Sequence, residues 1–189
     1  MPFIEHLKAN SDIFEQIRNI DIPHNYVMTP IFTEALDSEA MLYWFNSQDD
    51  GVKKYLPGAY VATEEEAKTK LNEYIQRMIL HNGILYSIRS IRDKFPLGYI
   101  MLNSPISSSG LNEWSIDFWL NKQHRGKGLM TSAISNLLQY LQLMDVEEVY
   151  ALVDKDNISS IKILDSFEFE IKETEKNGER LVYKLRLIN

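Results

Sequence analysis

The chain has 189 residues, 44% of them hydrophobic and 11% aromatic, enough for a single globular domain with a substantial core. Its formal charge of −7 argues against a nucleic-acid partner, which needs a basic face to neutralise phosphates, and no apolar run approaches the roughly 18 residues of a membrane span. The chain has no cysteine, which excludes disulfides, thiolate metal sites and a cysteinyl acyl-enzyme; with no signal-like start, the expectation is a cytoplasmic protein without a nucleic-acid, membrane or metal partner.

Residues 1–25 read as a helical N-terminal extension packed on the domain, with Ser11-Asp12 as its cap and Ile13, Ile17 and Ile20 on one face; residues 26–189 read as the main domain. A strand over Tyr26 to Ile31 precedes a helix from about Ser38 to Phe45 with Met41, Leu42 and Phe45 inward. Thr63-Glu64-Glu65-Glu66 is a capping box, and Ala67, Leu71, Tyr74, Ile75 and Met78 give the helix behind it an apolar stripe. Ile84 to Ile91 and Leu97 to Leu102 are strands joined by a turn at Arg92-Asp93-Lys94, and Trp114, Ile116, Phe118 and Leu120 alternate as the next strand. Met130, Ile134, Leu137, Leu138 and Leu141 mark a helix, and Val149 to Val153 is a continuous apolar run suited to a strand buried on both faces. A helix over Ile158 to Phe167 and a hairpin of Phe169 to Thr174 with Arg180 to Ile188, turning at Asn177-Gly178, complete the chain. This order predicts an α/β (α+β) fold, a mixed sheet of six or seven strands with helices on its faces.

The segment from Phe118 to Thr131 carries the chemistry. An apolar strand runs through a basic turn, Lys122-Gln123-His124-Arg125-Gly126-Lys127-Gly128, into an amphipathic helix. Glycines let backbone approach a ligand, and the free N–H groups and dipole of a helix N-terminus bind phosphate. A nucleoside-triphosphate P-loop is excluded by Asn121 and Gly128 at its required Gly and Ser/Thr places, and the dinucleotide fingerprint by Thr131 at its third glycine. Lys122, His124, Arg125 and Lys127 make a locally basic loop suited to a small polyanion. The acidic remainder suits a cationic amine, or is an ordinary surface of both signs.

Arg125-Gly126-Lys127-Gly128-Leu129-Met130 resembles the acetyl-coenzyme A loop of the GNAT acetyltransferases, and Met130 at its end is similar to the RimJ/RimL-type branch. Val153-Asp154-Lys155-Asp156-Asn157-Ile158-Ser159-Ser160 resembles the second family signature, a strand ending in Asn-x-x-Ser. Phe169 matches the Phe of a helix-ending Gly-Phe, with Glu168 in place of the glycine. The resemblance covers roughly residues 26 to 188. It implies a largely antiparallel sheet whose fourth and fifth strands are parallel and splay apart, with pantetheine in the wedge, and acetyl-coenzyme A as cosubstrate held by Phe118, Trp119, Leu120, Arg125, Gly126, Lys127, Gly128, Leu129, Met130, Asn157 and Ser160.

Acetyl transfer to an amine needs a neutral nucleophile, a donor for the developing oxyanion and a proton for the departing thiolate. The resemblance places the oxyanion near a backbone N–H of Trp119 or Leu120. The acid is often a Tyr seven residues after the signature Asn, but Leu164 stands there, so Ser160 takes that role; a serine in a first helical turn also bonds backbone. Glu113, Ser115, Asp117 and Trp119 share one strand face, which makes Asp117 the candidate base and Glu113 the reserve, against the alternative of plain surface carboxylates. Trp44, Tyr55, Tyr60 and Trp114 are candidate acceptor-side aromatics, or core. His124 faces phosphate or solvent, His81 is a helix-end residue, and His6 and His24 lie outside the motifs. An α-amine with pKa near 8 needs less help from a base than a lysine near 10.4. The expected acceptor is therefore a protein N-terminus, ribosomal proteins included, or a small amine. A catalytically silent coenzyme A-binding scaffold is the alternative, and the sequence leaves oligomeric state open.

Overall fold

Alternation along the strands sorts the apolar side chains onto two faces, and the helices divide between them. The computed structural model describes residues 13–92, 95–105, 113–175 and 178–187. In chain order these form β1 (Ile20–Ile22), β2 (Tyr26–Pro30), α1 (Leu36–Ser47), α2 (Asp50–Tyr55), α3 (Glu64–Ile79), β3 (Gly83–Ser90), β4 (Pro96–Asn103), β5 (Trp114–Leu120), α4 (Leu129–Leu143), β6 (Glu148–Asp154), α5 (Ile158–Asp165), β7 (Glu170–Glu175) and β8 (Arg180–Arg186). The sheet order is β1-β2-β3-β4-β5-β6-β8-β7. All neighbours are antiparallel except β5 and β6.

One face carries Ile84, Tyr86, Ile100, Leu102, Trp114, Ile116, Val149 and Ala151 against Met130, Ile134, Leu137 and Leu141 of α4 and Leu164 of α5. The other carries Leu85, Tyr99, Met101 and Trp119 against Tyr43 of α1, Val52 of α2 and Ala67, Leu71, Tyr74 and Ile75 of α3. β5 lies in both cores, Ile116 pointing one way and Trp119 the other.

The mixed, mostly antiparallel sheet with helices on both faces is as expected, but it has eight strands. The additional one is β1, so the parallel pair is β5/β6. Ile13 and Phe14 are buried in the larger core, while Ile20, expected on a helical face with Ile13 and Ile17, begins β1 and pairs with Met28. Three residues of β-branched and apolar spacing found a free sheet edge, and pairing there overrode the helical period. The Ser11-Asp12 cap, His6, Asp93, Lys94, Asn177 and Ile188 lie outside the described residues.

Two burial assignments differ. Met41 and Phe45 are 51% and 65% exposed, and α1 instead buries Ala40, Tyr43, Asn46 and Ser47. Polar residues take part in that face because their side chains find backbone partners: Ser47 Oγ donates to Trp44 O at 2.8 Å, and Asn46 Nδ2 to Pro96 O at 3.1 Å. β6 is buried on alternate residues rather than on both faces, with Val149, Ala151 and Val153 inward and Tyr150 and Leu152 half-buried. The half-buried row faces a cleft.

Candidate active site

The cleft exists because β5 and β6 pair at their beginnings, Trp114 with Val149 and Ser115 with Tyr150, and then diverge. Asn121 N donates to Leu97 O at 2.8 Å, so by period two the N–H of Trp119 also turns toward β4, while those of Phe118 and Leu120 turn into the gap. Lys155 N donates to Glu179 O on the β8 side, which turns the backbone of Leu152 and Asp154 toward the gap. Of the two oxyanion donors expected, Leu120 is the one whose N–H faces the wedge.

On one side of β5 lies a cavity of about 360 Å³, lined by Phe118, Trp119, Leu120, Arg125, Gly126, Gly128, Leu129, Met130, Thr131, Asn157, Ser159 and Ser160, with Gly51, Val52, Tyr55 and Ile163. Every residue expected to hold acetyl-coenzyme A lines it except Lys127, whose Nζ donates to Gln123 O at 3.0 Å. Gly126 and Gly128 have φ of +72° and +75°, left-handed values that disfavour other residues, and a Cβ on either would project into open space. Gly128 is the N-cap of α4 and has no side chain to cap it, so the first-turn N–H groups at Leu129, Met130 and Thr131 are left for a ligand in that cavity. The cradle, the unpaired wedge backbone and the basic loop fit a phosphorylated pantetheine compound.

On the other side is a chamber of about 550 Å³, walled by Asp117 and Trp119 of β5, Lys70, Glu73, Tyr74 and Arg77 of α3, Asn103, Leu152, Arg180 and the segment from Tyr55 to Ala59. A throat of about 30 Å³ between β5 and β6 is lined by Asp117, Phe118, Leu152, Asp154, Asn157, Ser160 and Tyr55. Asp117 and Ser160 thus share one constriction between the chambers.

Burial raises the Asp117 pKa above the ordinary carboxylate range, with Asn103, Arg77 and Arg180 pulling it partly back. Asn103 Nδ2 donates to Asp117 Oδ2 at 3.0 Å, and Arg77 Nη2 to Asn103 Oδ1 at 2.7 Å, so a fixed chain of groups orients the carboxylate. Asn157 Oδ1 accepts from Ser160 N at 3.3 Å, capping α5 and positioning the serine together. Leu164 is fully buried in the core. Glu113 lines neither chamber nor the throat; it lies four residues before Asp117, about 13 Å along the strand.

Arg125 is bound to protein. Its Nε donates to Leu120 O at 2.9 Å and its Nη2 to Asp49 Oδ1 at 2.7 Å, tying the glycine turn to α2. Burial alone would raise Asp49, but the Arg125 bond and charge and the N–H groups of Gly51 and Val52 hold its pKa below the usual value. At the other end of α2, Lys54 pairs with Asp156 at 2.5 Å and Tyr55 Oη donates to Asp156 O at 3.3 Å. The six-residue α2 therefore straps the cleft from the turn before α4 to the turn before α5. It was missed in the sequence, although Asp49 ahead of Gly51 and Lys53-Lys54 at the end are cap and dipole signals. Of the aromatic candidates, Tyr55 lines both chambers and the throat. Trp44 Nε1 donates to Ala62 O at 3.1 Å, Tyr60 lies beneath Lys53 and Trp114 stacks on Phe14 in the core. His81 is a helix-end residue with φ +57°, and His124 is held below its ordinary pKa by burial and Lys127.

A parallel pair that splays beside a glycine-turned helix N-terminus, with a carboxylate and a serine at the constriction, defines the class of enzymes that pass a group from a coenzyme A thioester to an acceptor. Residues 27–170 match the family profile described as acetyltransferase (GNAT) domain, and the chain belongs to that family of acetyl-coenzyme A-dependent N-acetyltransferases. It is similar in fold to RimL, a ribosomal L7/L12 α-N-protein acetyltransferase solved in complex with coenzyme A, with a TM-score of 0.73 and 16% identity over 89% of this chain and 98% of that one. A Salmonella typhimurium acetyltransferase that modifies the N-terminal serine of L7/L12 superposes with TM-score 0.72 and 16% identity over 91% and 100% of the two chains. Mycobacterium smegmatis RimJ gives 0.67 and 14% over 89% and 86%. A probable spermine N(1)-acetyltransferase from Bacillus subtilis subsp. natto (strain BEST195) is 30% identical over 73 residues, 38% of this chain, so the chain spans about half, 48%, of that relative. Among the described residues no helix is long and apolar enough to cross a membrane, and no group of three His, Cys, Asp or Glu could hold a metal.

Proposed function

We propose that this protein acetylates a primary amine by direct attack in a ternary complex, and that the acceptor is an α-amine at a protein N-terminus or on a small molecule. The observation that carries the reading is the throat joining a coenzyme A cradle to a second chamber, with Asp117 and Ser160 at the join.

Bound acetyl-coenzyme A supplies an activated acetyl group as a thioester. The first-turn N–H groups of α4 and the backbone of Gly126 and Gly128 hold its phosphates, with Lys127 adding charge from the rim, and Asn157 and the wedge backbone of Phe118 and Leu120 hold the pantetheine arm. Asp117 takes the proton that the amine nitrogen loses as it forms its bond to the acetyl carbon. Leu120 N–H donates to the oxygen as charge gathers there, and Ser160 Oγ gives a proton to the sulfur as the carbon–sulfur bond breaks and regains one from the protonated Asp117 across the throat they share, so that both groups end as they began. Glu113 precedes β5 and lines neither chamber nor the throat, too far from the constriction to share these steps. Residues 26–189 are taken as the acetyltransferase domain, to which residues 13–22 add β1 at the sheet edge and Ile13 and Phe14 in the core.

The acceptor chamber favours an α-amine over a polyamine. Its walls hold three cations, Lys70, Arg77 and Arg180, and two acids, Glu73 and Asp117, whereas a polycation calls for a surplus of acids. The test is thiol release with acetyl-coenzyme A and three acceptor sets: N-terminally free peptides, spermine, and Nα-blocked lysine. The absence of cysteine leaves no protein thiol to interfere. Fastest turnover of peptides is expected; faster turnover of spermine or blocked lysine overturns the α-amine assignment, and binding without turnover of any amine supports a silent scaffold.

A further inference from the structure

Trp119 lines both chambers and is 6% exposed, yet its indole Nε1–H has no hydrogen-bond partner among the described residues. The ring is fixed in place. Tyr43 meets it edge-on with centroids 6.0 Å apart, and Tyr99 lies against it at 5.1 Å. An indole nitrogen donates and never accepts, and a buried donor without an acceptor is a standing penalty on the fold. The hydroxyls of Tyr86 and Tyr99 are also buried without partners, but those residues line neither chamber nor the throat. Trp119 differs in lining both chambers.

Trp119 stands in the wall common to both chambers, one residue on from Phe118, which lines the throat where the two reactants meet. An attacking amine commits its lone pair to carbon, an acetyl methyl accepts nothing, and thioester sulfur is a weak acceptor. The carbonyl oxygen is the strong acceptor that remains, and it gains charge during the reaction. We propose that the indole Nε1–H of Trp119 donates a hydrogen bond to the thioester carbonyl oxygen of acetyl-coenzyme A, a side-chain donor beside the backbone N–H of Leu120. The indole keeps its proton throughout. The assignment rests on the acetyl-transfer reading above and extends it to a residue that the sequence marked for its backbone alone.

Two variants test it: Trp119→Phe, and replacement of Trp119 by 3-benzothienylalanine, which keeps the fused ring and puts sulfur in place of the N–H. Calorimetry gives the affinities of acetyl-coenzyme A and of coenzyme A, which lacks the carbonyl, and thiol release with an N-terminally free peptide gives the rate. In the benzothienyl variant the ratio of acetyl-coenzyme A to coenzyme A affinity is expected to fall roughly 3- to 10-fold. Coenzyme A binding stays within about twofold, and kcat drops on the order of 100-fold. An unchanged ratio and rate in that variant, or equal weakening of both ligands, overturns the Trp119 assignment while leaving acetyl transfer standing. If the unaltered protein binds neither ligand, acetyl transfer itself fails and this assignment with it.

Discussion

The two chambers on either side of β5 are built from different materials. The cofactor side draws mainly on two short stretches, Phe118 to Thr131 and Asn157 to Ile163, and much of what it offers is backbone: left-handed glycines, a helix N-terminus and strand edges. The acceptor side draws single side chains from α2, α3, β4, β5 and β8, between Tyr55 and Arg180. Recognition by backbone depends on a few glycines and caps at fixed spacing, so it leaves a local sequence pattern. A chamber assembled from side chains distant in the chain leaves none, and it can change specificity without disturbing its neighbour.

Each chamber can be broken separately. Gly128→Val places a β-branched residue at φ +75° in a turn that lines the cofactor cavity. At 100 times the dissociation constant, acetyl-coenzyme A adds about 2.7 kcal/mol and so raises the melting temperature of the unaltered protein by about 5–10 °C. That rise should vanish in the variant, and a full rise would show that the turn is not the cradle.

Asp117→Asn should leave the ligand-induced rise intact and lower kcat/KM by about 100-fold or more. A raised carboxylate burdens the folded state once ionised, so the variant should melt no lower than the unaltered protein at pH 7. The same shift sets the pH profile. A base must be deprotonated, so the acidic limb of kcat/KM should lie above the ordinary Asp value of about 3.9. Asn103→Ala, which removes the hydrogen bond that favours the anion, should move that limb to still higher pH. A limb unmoved by Asn103→Ala would remove Asp117 from the role of base.

The strap between the chambers gives a smaller effect. Asp49→Ala removes the cap of α2 and the partner of Arg125, and should cost about 1 kcal/mol, or about 2–4 °C, by thermal melt at pH 7. Because Asp49 is depressed in the folded state, its contribution is full above an unfolded pKa of about 3.9 and is lost as pH falls through the folded value. The difference between the two proteins should therefore narrow below about pH 4.

Glu168→Gly is the mildest change, and it lies outside both chambers. Glu168 has φ +62°, Phe169 N donates to Leu164 O at 3.3 Å and Glu168 N to Asp165 O at 3.2 Å, which is a Schellman closure with a non-glycine at the left-handed position. Glycine there should stabilise by about 0.5–1 kcal/mol, a rise of about 1–4 °C, without altering either ligand.

The sequence by itself determined the family, the class of fold and the glycine turn proposed as the cofactor cradle. Arg125 to Met130 and Asn157 to Ser160 are local, and the positive φ at Gly126 and Gly128 and the cap at Asn157 follow from residue type and neighbours. Tertiary structure decided the rest. The strand at Ile20 to Ile22 depended on a free edge of β2, and the exposure of Met41 and Phe45 on which face of α1 met α3 and β4. The set Asp117, Asn103, Arg77 and Arg180 came together through sheet register and the packing of α3. Tyr55 reached the throat because its neighbour Lys54 pairs with Asp156, 102 residues on, and its own hydroxyl donates to Asp156 O. Period and motif report what a residue does relative to its near neighbours, whereas the position of a side chain in a chamber is set by register and helix packing, which the linear spacing does not contain.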